Sequence, residues 1–445
     1  MNKILTQEEE DFNQNCDFVE MEIDISKAYN FPSEIHIHKY GDVFLVIYTE
    51  GVMWMVMKNK DEVDVFKMLA QGYKVNEVLE RFDESVVINV LTQIEAKKFY
   101  EPVFNENNEK NICIYLTNNC NQKCKHCYMY AGEIDIEEIN INKWIKILDE
   151  FKINGGKGVT FTGGEITVYN GFDKIIRYAH NIGLLVTVLS NGILWTKGMI
   201  SNLHKYIDEI QISIDGYDSE SYYMVRQSDG FDKAIECILN FINVGTKVSM
   251  AVTPLYDNIE KFISKFEIFA KMFIEKYPSV FIKLNLELIE GRTVSTTKEE
   301  NMLYREKIKG LMERIYAGYY TEMFVLNFEN NVRRKNCGFG EISISPNGDV
   351  FWCNRIYELQ KATNILDVDF KSIMKISEDI KKKTSVCNTN PCKKCDIKYI
   401  CGGGCRIKYN NIKNVDTYEG EWEYECEEKD SIYNRMVLCN EYFYK

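Results

Sequence analysis

The sequence predicts an α/β protein, built around a (β/α)6 series forming a parallel sheet, with a small α+β unit ahead of it and a cysteine-rich segment behind it. Three observations lead there. Between residues 112 and 288, six apolar strand-like runs alternate with amphipathic stretches, the pattern of a parallel sheet with crossover helices. The first 104 residues instead place their strand-like runs before their helical ones. And the 15 cysteines in 445 residues are unevenly spread, nine of them falling between Cys337 and Cys439.

Taken in order, the first unit (1–104) shows short alternating or apolar runs at 35–38, 43–48 and 52–57, broken by Tyr40-Gly41-Asp42 and Glu50-Gly51. This reads as a three-stranded meander. Apolar positions three and four apart then predict helices at 61–71, 76–82 and 86–99 that cover the sheet. A sheet with three helices is similar to a winged helix, whose usual partner is DNA. Charge opposes that partner: residues 1–104 hold 10 Lys or Arg against 20 Asp or Glu, which is −10 of the chain's −13. His36 and His38 share a strand face and read as ordinary strand residues.

The second region (105–320) predicts strands at 112–116, 158–161, 184–189, 209–214, 247–252 and 281–286, with helices at 141–151, 171–180, 197–205, 232–244 and 258–273. Chemistry is expected where such strands end. The first strand leads into Cys120-Asn-Gln-Lys-Cys124-Lys-His126-Cys127. Three thiolates within eight residues can wrap one inorganic cluster and leave one iron without a protein donor; a zinc site is the alternative. The third region (321–445) has little regular pattern and is expected to need metal to hold its shape. No apolar run reaches membrane-spanning length and no signal peptide opens the chain, so a cytoplasmic enzyme with no nucleic acid or membrane partner is expected. Cys16, Cys113, Cys237 and Cys439 lie in apolar or terminal settings and read as plain thiols.

CxxxCxxC after the first strand of a β/α series resembles the signature of the radical S-adenosylmethionine (SAM) enzymes, whose core is a partial TIM-like barrel. Further residues match that family in order: Thr162-Gly163-Gly164-Glu165 after the second strand, Ser190-Asn191-Gly192 after the third, Ser213-Ile-Asp215-Gly216 after the fourth, then Arg226. The resemblance implies that Cys120, Cys124 and Cys127 hold a [4Fe–4S] cluster whose free iron chelates SAM. It implies His126 near the adenine, Gly163, Gly164 and Glu165 at the SAM amino group, Ser190 and Asn191 near the ribose, Asp215 beside them, and Ser213 and Arg226 at the SAM carboxylate. The proline that usually follows the GGE is Ile166 here.

The run from Cys337 through Gly348 and Cys353 to Cys392-x2-Cys395-x5-Cys401-x3-Cys405 and Cys426 resembles the seven-cysteine SPASM extension; a pair of zinc knuckles is the alternative reading. The resemblance implies two auxiliary [4Fe–4S] clusters, making three in all: Cys337, Cys353 and Cys405 on cluster I, and Cys392, Cys395, Cys401 and Cys426 on cluster II. Cluster I is one ligand short. Where sulfatase-maturing relatives carry a further cysteine, this chain has Ser343, and Asn354 replaces their acidic residue after the second ligand, which argues against that activity. The open position could stay free, take Cys387, or bind a substrate thiolate.

Ahead of a SPASM enzyme, the acidic first unit resembles a RiPP recognition element, which binds the leader of a ribosomal precursor peptide by strand addition. The whole then resembles a radical SAM peptide maturase supplied with electrons by a flavodoxin or ferredoxin. The expected product is a thioether from a Cys sulfur to carbon, with carbon–carbon crosslinking or epimerisation as alternatives. An iron–sulfur electron carrier and an RNA-modifying radical SAM enzyme are the rivals; the first does not need the glycine and carboxylate motifs, and acidity opposes the second. Residue patterns leave the catalytic base, the precursor and the oligomeric state unassigned.

Overall fold

The computed structural model describes residues 23–101, 105–106, 110–133, 135–316, 332–407, 426 and 429–440; Cys16 lies outside them. The first unit opens with β1 (Ile35–Tyr40), β2 (Val43–Tyr48) and β3 (Met53–Met57), antiparallel in that order. Helices α1 (Lys60–Ala70), α2 (Val75–Leu79) and α3 (Glu84–Lys97) follow. Asn59 starts α1 by accepting from the Glu62 amide, and Asp61 and Glu62 place negative charge at its first turn.

All five β3 side chains are buried, because this sheet is covered on both faces. Met53, Met55 and Met57 share one apolar cluster with Val46 and the helix residues Phe66, Leu69, Val90 and Ile94. Trp54 and Val56, on the opposite parity, join Leu45 and Ile47 against Ile397, Tyr399, Tyr433 and Met436 from the far end of the chain. Polar contacts rim that second face. Trp54 Nε1 donates to the Met436 carbonyl at 3.0 Å and Thr49 Oγ1 to that of Asp396 at 2.6 Å. His38 pairs with Asp396 at 2.7 Å and Arg333 with Glu50 at 3.1 Å.

The two edges of this sheet differ. On β3, Gln93 of α3 donates to the Val56 carbonyl (2.8 Å) and accepts from the Val56 amide (3.0 Å), while Lys97 donates to the Trp54 carbonyl (2.6 Å). The β3 edge is thus capped by side chains. Antiparallel alternation then routes the β1–β2 ladder through His36, His38 and Tyr40, opposite Ile47, Leu45 and Val43. Ile35, Ile37 and Lys39 point their backbone groups outward.

The main sheet has nine strands. Six are parallel and adjacent in chain order: β5 (Asn111–Tyr115), β6 (Gly158–Thr162), β7 (Leu185–Ser190), β8 (Glu209–Ser213), β9 (Lys247–Val252) and β10 (Phe281–Leu284). Beyond β5 come β12 (Ile342–Ile344), parallel to it, then β13 (Asp349–Phe351) and β14 (Thr363–Asn364), each antiparallel to its neighbour. The two-residue strands β4 (Asn105–Glu106) and β11 (Val332–Arg333) pair separately. One sheet therefore runs across the division expected near residue 320. Ile112, Ile114, Val159, Phe161, Val186, Val188, Ile210 and Ile212 pack on α4 (Ile141–Ile153), α5 (Phe172–Asn181), α6 (Lys197–Leu203), α8 (Phe231–Asn243) and α9 (Ile259–Lys276).

Helices α7 (Ser219–Arg226) and α10 (Lys298–Ile315) were not expected. The cysteine-rich end is also more regular than its sequence suggests, with a helix at Phe370–Lys383. No helix among the described residues is long and apolar enough to cross a membrane.

Candidate functional site

The loop that leaves β5 carries Cys120, Cys124 and Cys127 to the C-terminal ends of the parallel strands. It is zipped to the loop after β6 by backbone hydrogen bonds, Gly164 N–H to the Thr117 carbonyl (2.8 Å) and Glu165 N–H to that of Asn119 (2.9 Å). A Cβ on Gly163 would strike the Thr117 carbonyl oxygen, and one on Gly164 that of Asn119; Gly163 also sits at φ +146°. The glycine pair lets the two loops meet backbone to backbone.

The three thiols influence one another. Burial, with the charges of Cys124, Glu165 and Cys127, pushes the Cys120 thiol up to about 12. Burial likewise raises Cys124, with Asp215 and Cys127 adding to it and Arg226 opposing. Among the described residues, no three His, Cys, Asp or Glu side chains close to single-ion spacing. Arg292, which belongs to no motif, clamps the loop. Its amide donates to the Cys127 carbonyl (3.2 Å), its Nη atoms to the carbonyls of Cys124 (3.1 Å) and Ala131 (2.7 Å), and it pairs with Glu133 at 2.6 Å.

Glu165 is 1% exposed and receives four hydrogen bonds. Oε1 accepts from Thr167 N (3.2 Å), Thr167 Oγ1 (2.8 Å) and Ser190 Oγ (2.7 Å), and Oε2 from the Asn191 amide alone (2.7 Å). A carboxylate oxygen offers two lone pairs, so Oε2 retains room for one more donor. No Lys, Arg or His pairs with it among the described residues. A buried anion in that state fits an incoming ammonium. Ser190 Oγ, expected near a ribose, instead donates to Glu165 and accepts from Trp195 Nε1 (3.0 Å) and the Gly192 amide (3.1 Å). Asn191 Nδ2 donates to Asn121 Oδ1 at 2.7 Å.

Asp215, after β8, is buried and organises a second group. Its Oδ2 meets Arg226 Nε (2.7 Å), Arg226 Nη2 (2.6 Å) and His126 Nε2 (2.7 Å), and its Oδ1 accepts from the Thr253 amide (2.6 Å). Burial alone would raise this carboxyl; Arg226 and His126 outweigh it and hold it at about 2. Arg226 Nη1 donates to Gln122 Oε1 (3.2 Å), and Gln122 Nε2 to Tyr222 Oη (2.9 Å). Asp215 gives the buried Arg226 guanidinium the counter-ion it needs. Ser213 ends β8 half-buried beside this group.

The later cysteines fall into two sets. Burial raises the Cys353 thiol to about 11, aided by the nearby Cys337 and Cys405. Cys392, Cys395 and Cys401 pack in one cluster against the first unit's sheet, and burial, then Asp396 and Cys392, raise Cys395 to about 12. Cys426 stands exposed. Cys387 lies 3.2 Å from Tyr399 Oη. Asn354 lends its carbonyl to Tyr115 Oη at 2.6 Å.

Comparison with known proteins agrees with this architecture. Residues 114–266 match the model of the Radical SAM superfamily. The sporulation killing factor maturation protein SkfB of Bacillus subtilis is 27% identical over 210 residues, 47% of this chain, and the match spans about half (49%) of SkfB. The mycofactocin maturase MftC of Mycolicibacterium smegmatis is 28% identical over 317 residues, covering 66% of this chain and 78% of MftC. In fold, the crystal structure of Streptococcus suis SuiB aligns with a TM-score of 0.50 at 16% identity, covering 85% of this chain and 96% of SuiB. The stretch 114–266, which holds the cysteine loop and the buried carboxylates Glu165 and Asp215 at the ends of the parallel strands, is thus similar to the Radical SAM superfamily.

Proposed function

We propose that this enzyme matures a ribosomally made precursor peptide. The observation that carries the reading is Glu165, a buried carboxylate with an open lone pair and no paired cation among the described residues, beside the three-cysteine loop. The maturase relatives SkfB and MftC support the peptide as substrate. Cys120, Cys124 and Cys127 would hold the [4Fe–4S] cluster. Glu165 would take the SAM ammonium, and Gly163, Gly164, Ser190, Asn191, His126, Ser213, Asp215 and Arg226 would frame the rest of the molecule. With cluster and SAM bound, the site supplies reductive SAM cleavage and hydrogen abstraction from the peptide, drawing electrons from a flavodoxin or ferredoxin.

The chain's own residues then do three things. Arg292 and the Asp215–Arg226–Gln122 chain hold the loop still, Glu165 orients the amine, and the apolar wall formed by Tyr115, Met129 and Ile356 excludes water. Cys337, Cys353 and Cys405 are assigned to auxiliary cluster I, and Cys392, Cys395, Cys401 and Cys426 to cluster II, in a region from 321 to 445. Residues 1–104 are assigned to leader binding, the peptide adding as a strand at β1, where Ile35, Ile37 and Lys39 offer outward backbone groups. The product is a crosslink. A thioether needs a cluster I iron free for a substrate thiolate; a carbon–carbon bond does not, and epimerisation is a third outcome.

Coexpression with a small peptide encoded beside the gene, followed by mass spectrometry, tests the reading. Loss of two hydrogens per event is expected for a crosslink, and an unchanged mass with inverted stereochemistry for epimerisation. Leader binding is tested separately by Ile37→Pro, which removes an outward N–H, and should abolish modification while leaving SAM cleavage. Modification that persists in this variant refutes the β1 edge. An unmodified peptide alongside active SAM cleavage refutes the peptide substrate.

A further inference from the structure

We propose that Cys113, on β5, is the fourth thiolate of auxiliary cluster I. The inference rests on the double-cluster reading above and fills the position that the sequence leaves open at Ser343. The placement comes from strand register. β12 lies parallel to β5 with Ser343 directly opposite Cys113. Paired residues in neighbouring strands point to the same face about 4.8 Å apart, so a thiol on Cys113 occupies the space beside the one that a cysteine at 343 would fill.

That face of β5 looks toward the other ligands. Tyr115, two residues on and of the same parity, donates to the carbonyl of Asn354, the residue after Cys353, at 2.6 Å. Cys113 also packs in one apolar cluster with Phe351, which pairs with Ser343 across β12 and β13. Cys113 thus stands on the strand face that meets the Cys353 turn, and Arg355 of that turn reaches Cys405 Sγ at 3.8 Å. The other candidate, Cys387, is turned to Tyr399, whose ring packs with Cys392, Cys395 and Cys401.

With Cys113 in place no iron of cluster I is left for a substrate thiolate. The open iron that would favour a thioether is then absent, and a carbon–carbon crosslink becomes the preferred product.

The test uses the full chain carrying Cys120→Ala, Cys124→Ala and Cys127→Ala, so that iron reports only the auxiliary clusters. Anaerobic reconstitution is expected to give about eight irons, against about twelve for the unaltered chain. Adding Cys113→Ser should lower the count by about one to four irons and change the electron paramagnetic resonance spectrum of one reduced cluster. The remaining cluster I should also become sensitive to cyanide. Adding Ser343→Cys to that variant should restore count, spectrum and cyanide resistance, since the new thiol stands opposite the lost one. An unchanged count and spectrum in Cys113→Ser overturns the proposal, as does a loss that Ser343→Cys fails to rescue. About four irons in the unaltered chain instead refutes the double-cluster reading.

Discussion

Replacing Asp215 by Asn keeps its shape and removes its charge, which leaves the buried Arg226 without a counter-ion. The size of the effect follows from the structure. Holding the carboxyl at about 2, against an ordinary 3.8, despite burial, corresponds to a few kcal/mol of net favourable interaction with the charged form. Measured losses on breaking buried pairs reach about 3–5 kcal/mol, because the abandoned charge stays buried. The consequence is local: Arg226 reaches Gln122, and the Lys125 amide of the cysteine loop donates to the Val225 carbonyl in α7.

Hydrogen exchange read by mass spectrometry on fragments spanning 120–133 and 213–227 should therefore accelerate by roughly 50-fold or more. Fragments of α9 should exchange as before. Arg226→Met alone should behave similarly, and the double variant should recover much of the protection, since it buries no lone charge. Exchange within about threefold of the parent in Asp215→Asn, or a double variant worse than the sum of the singles, would refute this account of how the loop is held.

Glu165→Gln should weaken SAM binding by roughly 10- to 150-fold, the loss of one charge-assisted hydrogen bond, as measured by equilibrium dialysis, with iron content unchanged. Arg292→Met removes side-chain bonds to two loop carbonyls and should lower the iron retained after gel filtration, while Arg292→Lys keeps part of it. In the first unit, burial raises Glu95, but hydrogen bonds from Lys27, Tyr100 and Tyr29 overcome this and set it below the ordinary 4.5. A depressed carboxyl stabilises the fold above its unfolded value and loses that contribution as pH falls through the folded one. Glu95→Gln should therefore flatten the acid slope of the unit's thermal melting below about pH 4.5.

The parallel strands were legible because most carry apolar residues at alternate positions, the ones buried against the helices. Helix α10 was not read, although its buried Tyr304, Ile308, Leu311 and Met312 follow helical spacing; its charged residues dilute that signal. Strands β11, β13 and β14 are two or three residues long, too short for any period to show. The cysteine loop, Glu165 and Asp215 stood out as motifs, yet their internal partnerships did not. A motif names residue types, and which donor meets which acceptor depends on how the loops fold over one another. Arg292 carries no sequence signal at all. The second cover on the first unit did leave a trace, in that Met-Trp-Met-Val-Met is apolar on both parities and needs two surfaces to bury it.

That shared sheet has a consequence in time. Leu45, Ile47, Trp54 and Val56 are made early, while the residues that cover them, up to Met436, are made about 380 residues later. At roughly 5–20 residues per second, a ribosome needs about 20–75 s to close that gap. Throughout it, a formed three-stranded sheet presents a tryptophan-bearing apolar face to the cell. Slow translation should favour aggregation of this chain, and chaperones that shield short apolar strands should raise its yield.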